Sequence, residues 1–264
     1  MRAGARAALS ATCRREISAH RLNRFLHVHL GLAFAAGLLP LFTPDAMAGA
    51  APWWVLQAVL YCLSLSSLLL GLSSAHGESD EFPLLFVQPA PRWAWLGGKV
   101  AALGALLIPA SLLLIVPAAL AGGLTWELAA LAAAAGGVSV ALATAGLALG
   151  FWVRDHVRGL LTALALWFGL LFGTDLLLLG VAGSSLVQTH PGLWVGALMA
   201  NPLDALRITV LFSIEGAAPA GIDPGALAGW WVANGGLWLT ALLGTWTAAA
   251  LAVGLAGAKR KVDA

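Results

Sequence analysis

Long apolar stretches alternate with short polar ones along the chain, and this pattern predicts a bundle of membrane-spanning helices. A helix needs about 20 apolar residues to cross a bilayer. Six stretches meet or approach that length, and the first is the shortest. They run from about Val28 to Phe42, Trp54 to Ser74, Val100 to Ala121, Leu128 to Val153, Leu160 to Ala182 and Trp230 to Ala256. We therefore predict an all-α polytopic membrane protein with six transmembrane helices, in which residues 1–264 form one transmembrane domain.

Composition and charge agree with this prediction. Of the 264 residues, 60% are hydrophobic and 10% are charged, whereas soluble domains carry about 25% charged residues. Six spans would place 13 of the 14 Lys and Arg residues on one side, and only Arg207 on the other. Because basic residues stay on the cytoplasmic side, we expect a bacterial inner-membrane protein with both termini in the cytoplasm.

The N-terminal residues 1–27 predict a basic, amphipathic interfacial helix, from about Ala8 to His27, that lies along the cytoplasmic surface. It is either a topology anchor or an elbow that contacts a cytoplasmic partner. The same basic stretch, followed by an apolar run and Ala46-Met47-Ala48, also imitates a cleaved signal peptide. His27 and His29 fall on opposite sides of a helix, so we do not predict a metal pair there.

The cytoplasmic loop at residues 75–99, between the second and third spans, is longer than a connector needs. Ser79 or Asp80 can cap a short helix, and Pro83 fits its first turn. The apolar run 84–87 follows, and prolines 89 and 91 end it. A short capped helix with an exposed apolar patch suits docking to a soluble partner; a plain connector is the alternative.

The external segment, residues 183–229, is the longest connection. Asn201 reads as a helix cap, Pro202 as the first helical residue, and Asp204 as an acidic residue of the first turn. We expect an interfacial helix or a lid here, with a weak pair between Asp204 and Arg207; loop without a function is the alternative.

Inside the spans, Asp175 is an intramembrane carboxylate and therefore a candidate for transport or gating. Gly146 and Gly150 form a GxxxG pair in the fourth span, and Gly169 and Gly173 form one in the fifth. Such pairs bring helices close together, either within the chain or between two copies. Pro109 and Pro117 should kink the third span.

Several chemistries lack their signatures. No GxxxxGK[ST] loop, HExxH motif or Ser–His–Asp arrangement occurs in the sequence, so we expect no nucleotide site, no metal site and no catalytic residues in this chain. Cys13, Cys62, His190 and Met199 do not cluster along the sequence. Nothing points to nucleic acid; membrane lipid is the expected surrounding.

In the loop, the string LLFVQPAPRWAWLGGK resembles a recurrent pattern of the type-2 ABC transporter permeases. The resemblance implies that loop residues couple this chain to a separate cytoplasmic ABC ATPase, which would bind the ATP and Mg. The implied coupling residues are Glu78, Asp80, Glu81, Leu84, Leu85, Gln88, Pro89, Arg92 and Lys99.

Within that superfamily, the external Asn-Pro-Leu-Asp-Ala-Leu-Arg and the later Glu-Gly resemble the NosY permeases of nitrous oxide reductase maturation. That resemblance implies a homodimer, a periplasmic accessory protein, and a cargo such as copper or a sulfur species. The implied external partner contacts are Asn201, Pro202, Asp204, Arg207 and Glu215. Two alternatives stay open: a lipid or drug exporter of the same superfamily, and a membrane anchor or assembly subunit without transport.

Overall fold

The structure is a computed structural model that describes residues 2–42, 51–77, 91–122, 124–181, 191–214 and 225–263. Every regular element within those ranges is a helix, so the all-α prediction is confirmed for them. In chain order they are α1 (Arg2–His20), α2 (Arg24–Phe42), α3 (Ala51–Gln57), α4 (Ser64–His76), α5 (Arg92–Leu112), α6 (Val116–Gly122), α7 (Trp126–Trp152), α8 (His156–Phe168), α9 (Thr174–Val181), α10 (Pro191–Ala200), α11 (Pro202–Thr209) and α12 (Gly225–Asp263). The π-helical segments Ala58–Leu63 and Gly169–Gly173 join α3 to α4 and α8 to α9, and Val210–Ile214 continues α11.

Several helices are long and apolar enough to cross a membrane. Five pass this test alone among the described residues, and α1 with α2 form a further candidate that is bent by 74°. These helices indicate a membrane-embedded protein. The count of six spans stays a prediction.

Helix α7 is the centre of the bundle and packs against α4, α5 and α12. In its most apolar window, 67% of the residues are buried, whereas the figure is 11% for the helix His156–Leu177. An apolar helix that is covered by protein belongs to the core, and one that is uncovered is suited to lipid. The fifth predicted span therefore lies on the outside of this chain.

Close helix packing depends on glycine between α4 and α7. A Cβ atom on Gly146 would overlap the carbonyl oxygen of Leu68, and one on Gly71 would overlap that of Ala143. The Gly146–Gly150 pair thus serves packing within the chain. In contrast, a Cβ atom on Gly169 or Gly173 would meet no atom within 4 Å.

The helix ends differ from the predicted segment bounds in the N-terminal part and in the loop. The elbow ends at His20 rather than at His27, because the Asn23 side chain accepts a hydrogen bond from the Phe25 backbone N–H (2.9 Å) and caps a new helix, α2. The loop at 75–99 is helical at both ends, since α4 extends to His76 and α5 begins at Arg92. The third span is broken after Leu112, three residues beyond Pro109, and it resumes in α6 with Pro117 in the first turn.

Candidate functional site

Two clusters of polar side chains lie far apart on this framework. We call the first the loop-end cluster (Glu16, His20, Ser74 and Lys99), because it adjoins the predicted coupling loop. We call the second the far-end cluster (Thr174, Asp175, Asn201, Asp204 and Arg207). The helix that starts at His156, next to His76, rises about 27 Å before it reaches Thr174, so the clusters belong to opposite ends of the bundle.

A buried ion pair forms the centre of the loop-end cluster. Lys99 Nζ lies 2.8 Å from Glu16 Oε1, and the two side chains are 0% and 2% exposed. Lys99 Nζ also lies 3.3 Å from Ser74 Oγ, whose hydroxyl donates to Glu16 Oε2 (3.3 Å). The Trp95 ring lies 5.5 Å from the ammonium, within range of a cation–π interaction. Both charges are thereby compensated, as buried charges require.

The sequence brings these residues together through three helices. Glu16 is on α1, Ser74 is in the last turn of α4, and Lys99 is two turns into α5. Gly98 allows α1 to approach, because a Cβ atom there would lie 2.8 Å from the Leu9 carbonyl oxygen. The cluster therefore connects α1 to the two helices, α4 and α5, that precede and follow the predicted coupling loop.

His20 extends the cluster towards a neighbouring cavity. Its Nδ1 lies 2.9 Å from the backbone oxygen of Glu16. Since a carbonyl can only accept, Nδ1 carries the proton of this hydrogen bond. Burial lowers the pKa of His20, although the Glu16 backbone and carboxylate act in the opposite direction. Burial thus favours the neutral ring, in which Nε2 is an acceptor.

Of the nine predicted coupling residues, the structure describes Arg92 and Lys99. The others lie outside the described residues: Glu78, Asp80, Glu81, Leu84, Leu85, Gln88 and Pro89. Arg92 is half-buried at the start of α5, after Pro91 as cap. Lys99 was expected at a surface that a partner touches, but its side chain is fully buried against Glu16. It can act on coupling only through the residues that it holds.

At the far end, Asn201 joins α11 to the fifth predicted span. Its side chain caps α11 by accepting from the Leu203 N–H (3.1 Å), as predicted. Its Nδ2 lies 2.6 Å from the Leu170 carbonyl oxygen, 3.0 Å from Thr174 Oγ1 and 2.6 Å from Asp204 Oδ2. One amide thus fixes the start of α11 against the helix that carries Asp175.

Asp175 is paired, which its isolation in the sequence did not predict. Arg207 Nη1 lies 3.0 Å from Asp175 Oδ2 and 3.7 Å from Asp204 Oδ1. The second distance agrees with the weak pair expected between Asp204 and Arg207. Asp175 is 47% exposed and Asp204 is 2% exposed, so Arg207 bridges an outer and an inner carboxylate.

Burial raises the pKa of Asp204, although a hydrogen bond from Thr174 and the charge of Arg207 act in the opposite direction.

Tryptophans of α12 form hydrogen bonds with the residues around this cluster: Trp231 Nε1 donates to Thr209 Oγ1 (3.1 Å), and Trp238 Nε1 donates to the Met199 carbonyl (3.0 Å). Pro202 is buried as the first residue of α11. Glu215, the last predicted partner contact, lies outside the described residues.

Other polar side chains form contacts between the apolar helices that the sequence analysis did not predict. His29 Nδ1 lies 2.9 Å from Ser66 Oγ, and Trp167 Nε1 donates to Ser64 Oγ (2.8 Å). The serines within an apolar span were the sequence feature that could have predicted these contacts, because hydroxyl groups form hydrogen bonds between membrane helices. In the part of the chain that the structure describes, no group of three or more His, Cys, Asp or Glu side chains could hold a metal ion.

No protein-family description matches the chain, and no curated protein matches its sequence.

Proposed function

We propose that the chain is the membrane permease subunit of an ABC transporter, coupled to a separate cytoplasmic ATPase. In this proposal six helices cross the bacterial inner membrane and both termini are cytoplasmic. The chain itself hydrolyses nothing; it converts ATP-driven motion of its partner into motion of its helices.

The loop-end cluster is the observation that carries this proposal. A loop that receives force from an ATPase needs a stiff base, or the force is lost in local bending. Ser74 and Lys99 stand on the two sides of the predicted coupling loop, and both contact Glu16 of α1. A buried, compensated pair is costly to break. Helix α1, the end of α4 and the start of α5 would therefore move as one unit.

The far-end cluster supports contact with a periplasmic accessory protein. Arg207 and Asp175 are partly exposed, while Asn201 and Asp204 hold α11 from within. A partner that displaced or bridged this pair would act directly on the helix that contains Asp175. We propose maturation of a copper enzyme, nitrous oxide reductase, as the process served, on the resemblance of the external motif.

Charged substitutions in the coupling loop test the proposal. Glu81→Arg and Leu85→Asp should each abolish co-purification of the ATPase with the tagged chain and vanadate-sensitive ATP hydrolysis in proteoliposomes. Glu127→Arg is the matched control, because Glu127 follows the Thr125 cap of α7, on the proposed periplasmic side. Unchanged co-purification and hydrolysis in the loop variants would refute the docking assignment. An ATPase that binds but is never stimulated would favour the anchor alternative.

A lipid exporter is the second candidate, because the bundle has an apolar groove of about 770 Å³ between α5, α7 and α12. Small residues such as Ala133, Gly137 and Gly236 line it, which leaves room for an acyl chain. Ala133→Phe would fill the groove. It should abolish lipid-stimulated ATP hydrolysis if the cargo is lipid, and leave enzyme maturation intact if the groove carries nothing.

A further inference from the structure

The fifth predicted span is interrupted by the π-helical segment Gly169–Gly173, which lies between α8 and α9. A π turn holds one residue more than the α-helical path requires, because its hydrogen bonds join residues five apart instead of four. The segment therefore contains one additional residue. If it became α-helical, α9 would turn by about 100° and rise by about 1.5 Å relative to α8.

The inner side of this segment, α8, is fixed to the bundle. Trp167 Nε1 donates a hydrogen bond to Ser64 Oγ at the start of α4 (2.8 Å). A Cβ atom on Gly159 would lie 2.6 Å from His76 Cε1, so α8 also packs closely against the end of α4. A change of register in the segment would therefore move the outer side, α9.

The outer side, α9, presents mainly leucine to its surroundings. Leu176, Leu177 and Leu179 are 57%, 67% and 79% exposed. They point in three directions around the helix, so leucine still faces lipid after a turn of α9. At Gly169 and Gly173, which bound the segment, a Cβ atom would meet no atom of the described chain within 4 Å. Apolar packing therefore does little to fix the register of α9.

The amide of Asn201 supplies polar contacts that fix this register. Its Nδ2 lies 2.6 Å from the Leu170 carbonyl oxygen, inside the segment, and 3.0 Å from Thr174 Oγ1. In an unbroken α-helix the Leu170 carbonyl would accept the Thr174 N–H, four residues on. A π turn shifts the bonding by one residue, and the Asn201 amide takes the place of the lost donor. In this register Asp175 pairs with Arg207 (3.0 Å).

We propose that the segment Gly169–Gly173 is a register switch. While Asn201 binds the Leu170 carbonyl, the segment stays π-helical and Asp175 faces Arg207. When this hydrogen bond breaks, the segment becomes α-helical and α9 turns Asp175 away from Arg207. A molecule that takes the Asn201 amide or the Arg207 guanidinium would therefore turn α9. The switch lies within one chain, so it goes beyond the proposed function and requires neither an ATPase nor an external partner.

The distance between two spin labels tests the switch in the full chain, diluted with unlabelled chain in lipid nanodiscs. In a background with Cys13→Ser and Cys62→Ser, labels at Leu160→Cys and Leu179→Cys lie on either side of the segment, at exposed positions. They share a face in the present register, since about 18 residues make five turns and one residue is additional. Asn201→Ser keeps a capping oxygen for α11, but its side chain is too short to reach the segment. It should lengthen the label distance by about 3–5 Å, because α9 turns by about 100°.

One variant and one label pair are the controls. Thr174→Val removes another partner of the Asn201 amide but leaves its bond to the Leu170 carbonyl, so it should keep the parent distance. Labels at Val157→Cys and Leu164→Cys, both within α8, should keep their distance in every variant. An unchanged distance between α8 and α9 in Asn201→Ser would overturn the switch, and so would an equal lengthening in Thr174→Val.

Deletion of Gly169 separates a register change from a simple bend. The deletion removes the additional residue, so the segment becomes α-helical while α9 keeps its present orientation and the parent label distance. Asn201→Ser should no longer lengthen the distance in this shortened chain. Equal lengthening with and without Gly169 would overturn the switch, because the helix would then bend. A distance that changes on deletion alone would overturn the additional residue itself, and this test holds even if Asn201→Ser folds poorly.

Discussion

At the scale of single residues, the ion pair between Glu16 and Lys99 is the most consequential contact in the loop-end cluster. We predict that Glu16→Gln lowers the free energy of unfolding by about 3–5 kcal/mol, because it leaves the fully buried Lys99 ammonium without a carboxylate. Lys99→Met should cost less, because Arg15 Nη2 also lies 3.3 Å from Glu16 Oε1. The double variant Glu16→Leu/Lys99→Met should recover most of this loss, since it removes both charges from the interior. Denaturant titration in detergent micelles measures both effects.

The exposed Arg14 on α1 provides the control for this prediction. Arg14→Gln should leave the unfolding midpoint unchanged. If the double variant proves as unstable as the sum of the single variants, the two side chains do not interact energetically, and the role given to the loop-end cluster is lost.

Asp204 gives a prediction about pH. Because burial raises the pKa of Asp204 in the folded protein, the native state keeps a proton that the unfolded chain has already released. Stability therefore falls as pH rises from about 3.9, the ordinary aspartate value, to the raised pKa, and stays lower above it. Asp204→Asn keeps an acceptor for Asn201 and removes this titration. We expect the variant to be less dependent on pH and to melt about 2–4 °C higher near neutral pH, as about 1 kcal/mol would give.

Thermal unfolding of both proteins between pH 4 and 8 measures this difference. Asp155→Asn makes the same chemical change at an exposed helix cap and should follow the parent protein throughout. If the melting temperatures of the wild-type protein and Asp204→Asn change with pH in parallel, the Asp204 carboxyl does not titrate in this range.

At the scale of helices, a glycine-to-alanine substitution should change the stability in opposite directions in the two GxxxG pairs. Gly146→Ala forces a methyl group against the Leu68 backbone and should cost about 1–3 kcal/mol of stability. Gly169→Ala meets no neighbour within 4 Å, and alanine favours a helix by up to about 1 kcal/mol. It should be neutral or stabilising in the isolated chain. Unfolding of each variant in micelles would test this, and equal losses would contradict the packing described here.

The helices themselves were largely predictable, because apolar length and turn chemistry are local properties. The Asn201 cap and the prolines of the third span followed from residue type alone. The contacts between helices did not. Glu16 has ordinary neighbours in the sequence, and its pairing with Lys99, 83 positions later, depends on how α1 folds back. Asp175 was likewise expected alone, since the approach of Arg207 depends on a connection whose path the sequence does not specify.

At the scale of the whole molecule, the fifth predicted span carries the glycine pair through which we propose that a second copy packs. A Cβ atom at Gly169 or Gly173 would meet no atom within 4 Å, although such pairs favour close helix approach. In a background with Cys13→Ser and Cys62→Ser, we predict that Gly169→Cys forms disulfide-linked dimers in membranes. Leu120→Cys, on α6 and 84% exposed, should stay monomeric. Equal cross-linking at both positions would indicate random collision and would remove this support for the homodimer.

Orientation is the property on which both proposed partner surfaces depend. Placing 13 of 14 basic residues on one side predicts that the loop after α4 is cytoplasmic and the segment before α12 is periplasmic. In the same cysteine-free background, a membrane-impermeant maleimide should label Ala218→Cys in intact spheroplasts and Ser79→Cys only in inverted vesicles. The two residues sit in different connections of one chain, so each serves as the control for the other. Labelling of Ser79→Cys in spheroplasts would put the proposed ATPase surface outside the cell, where no ATPase could reach it.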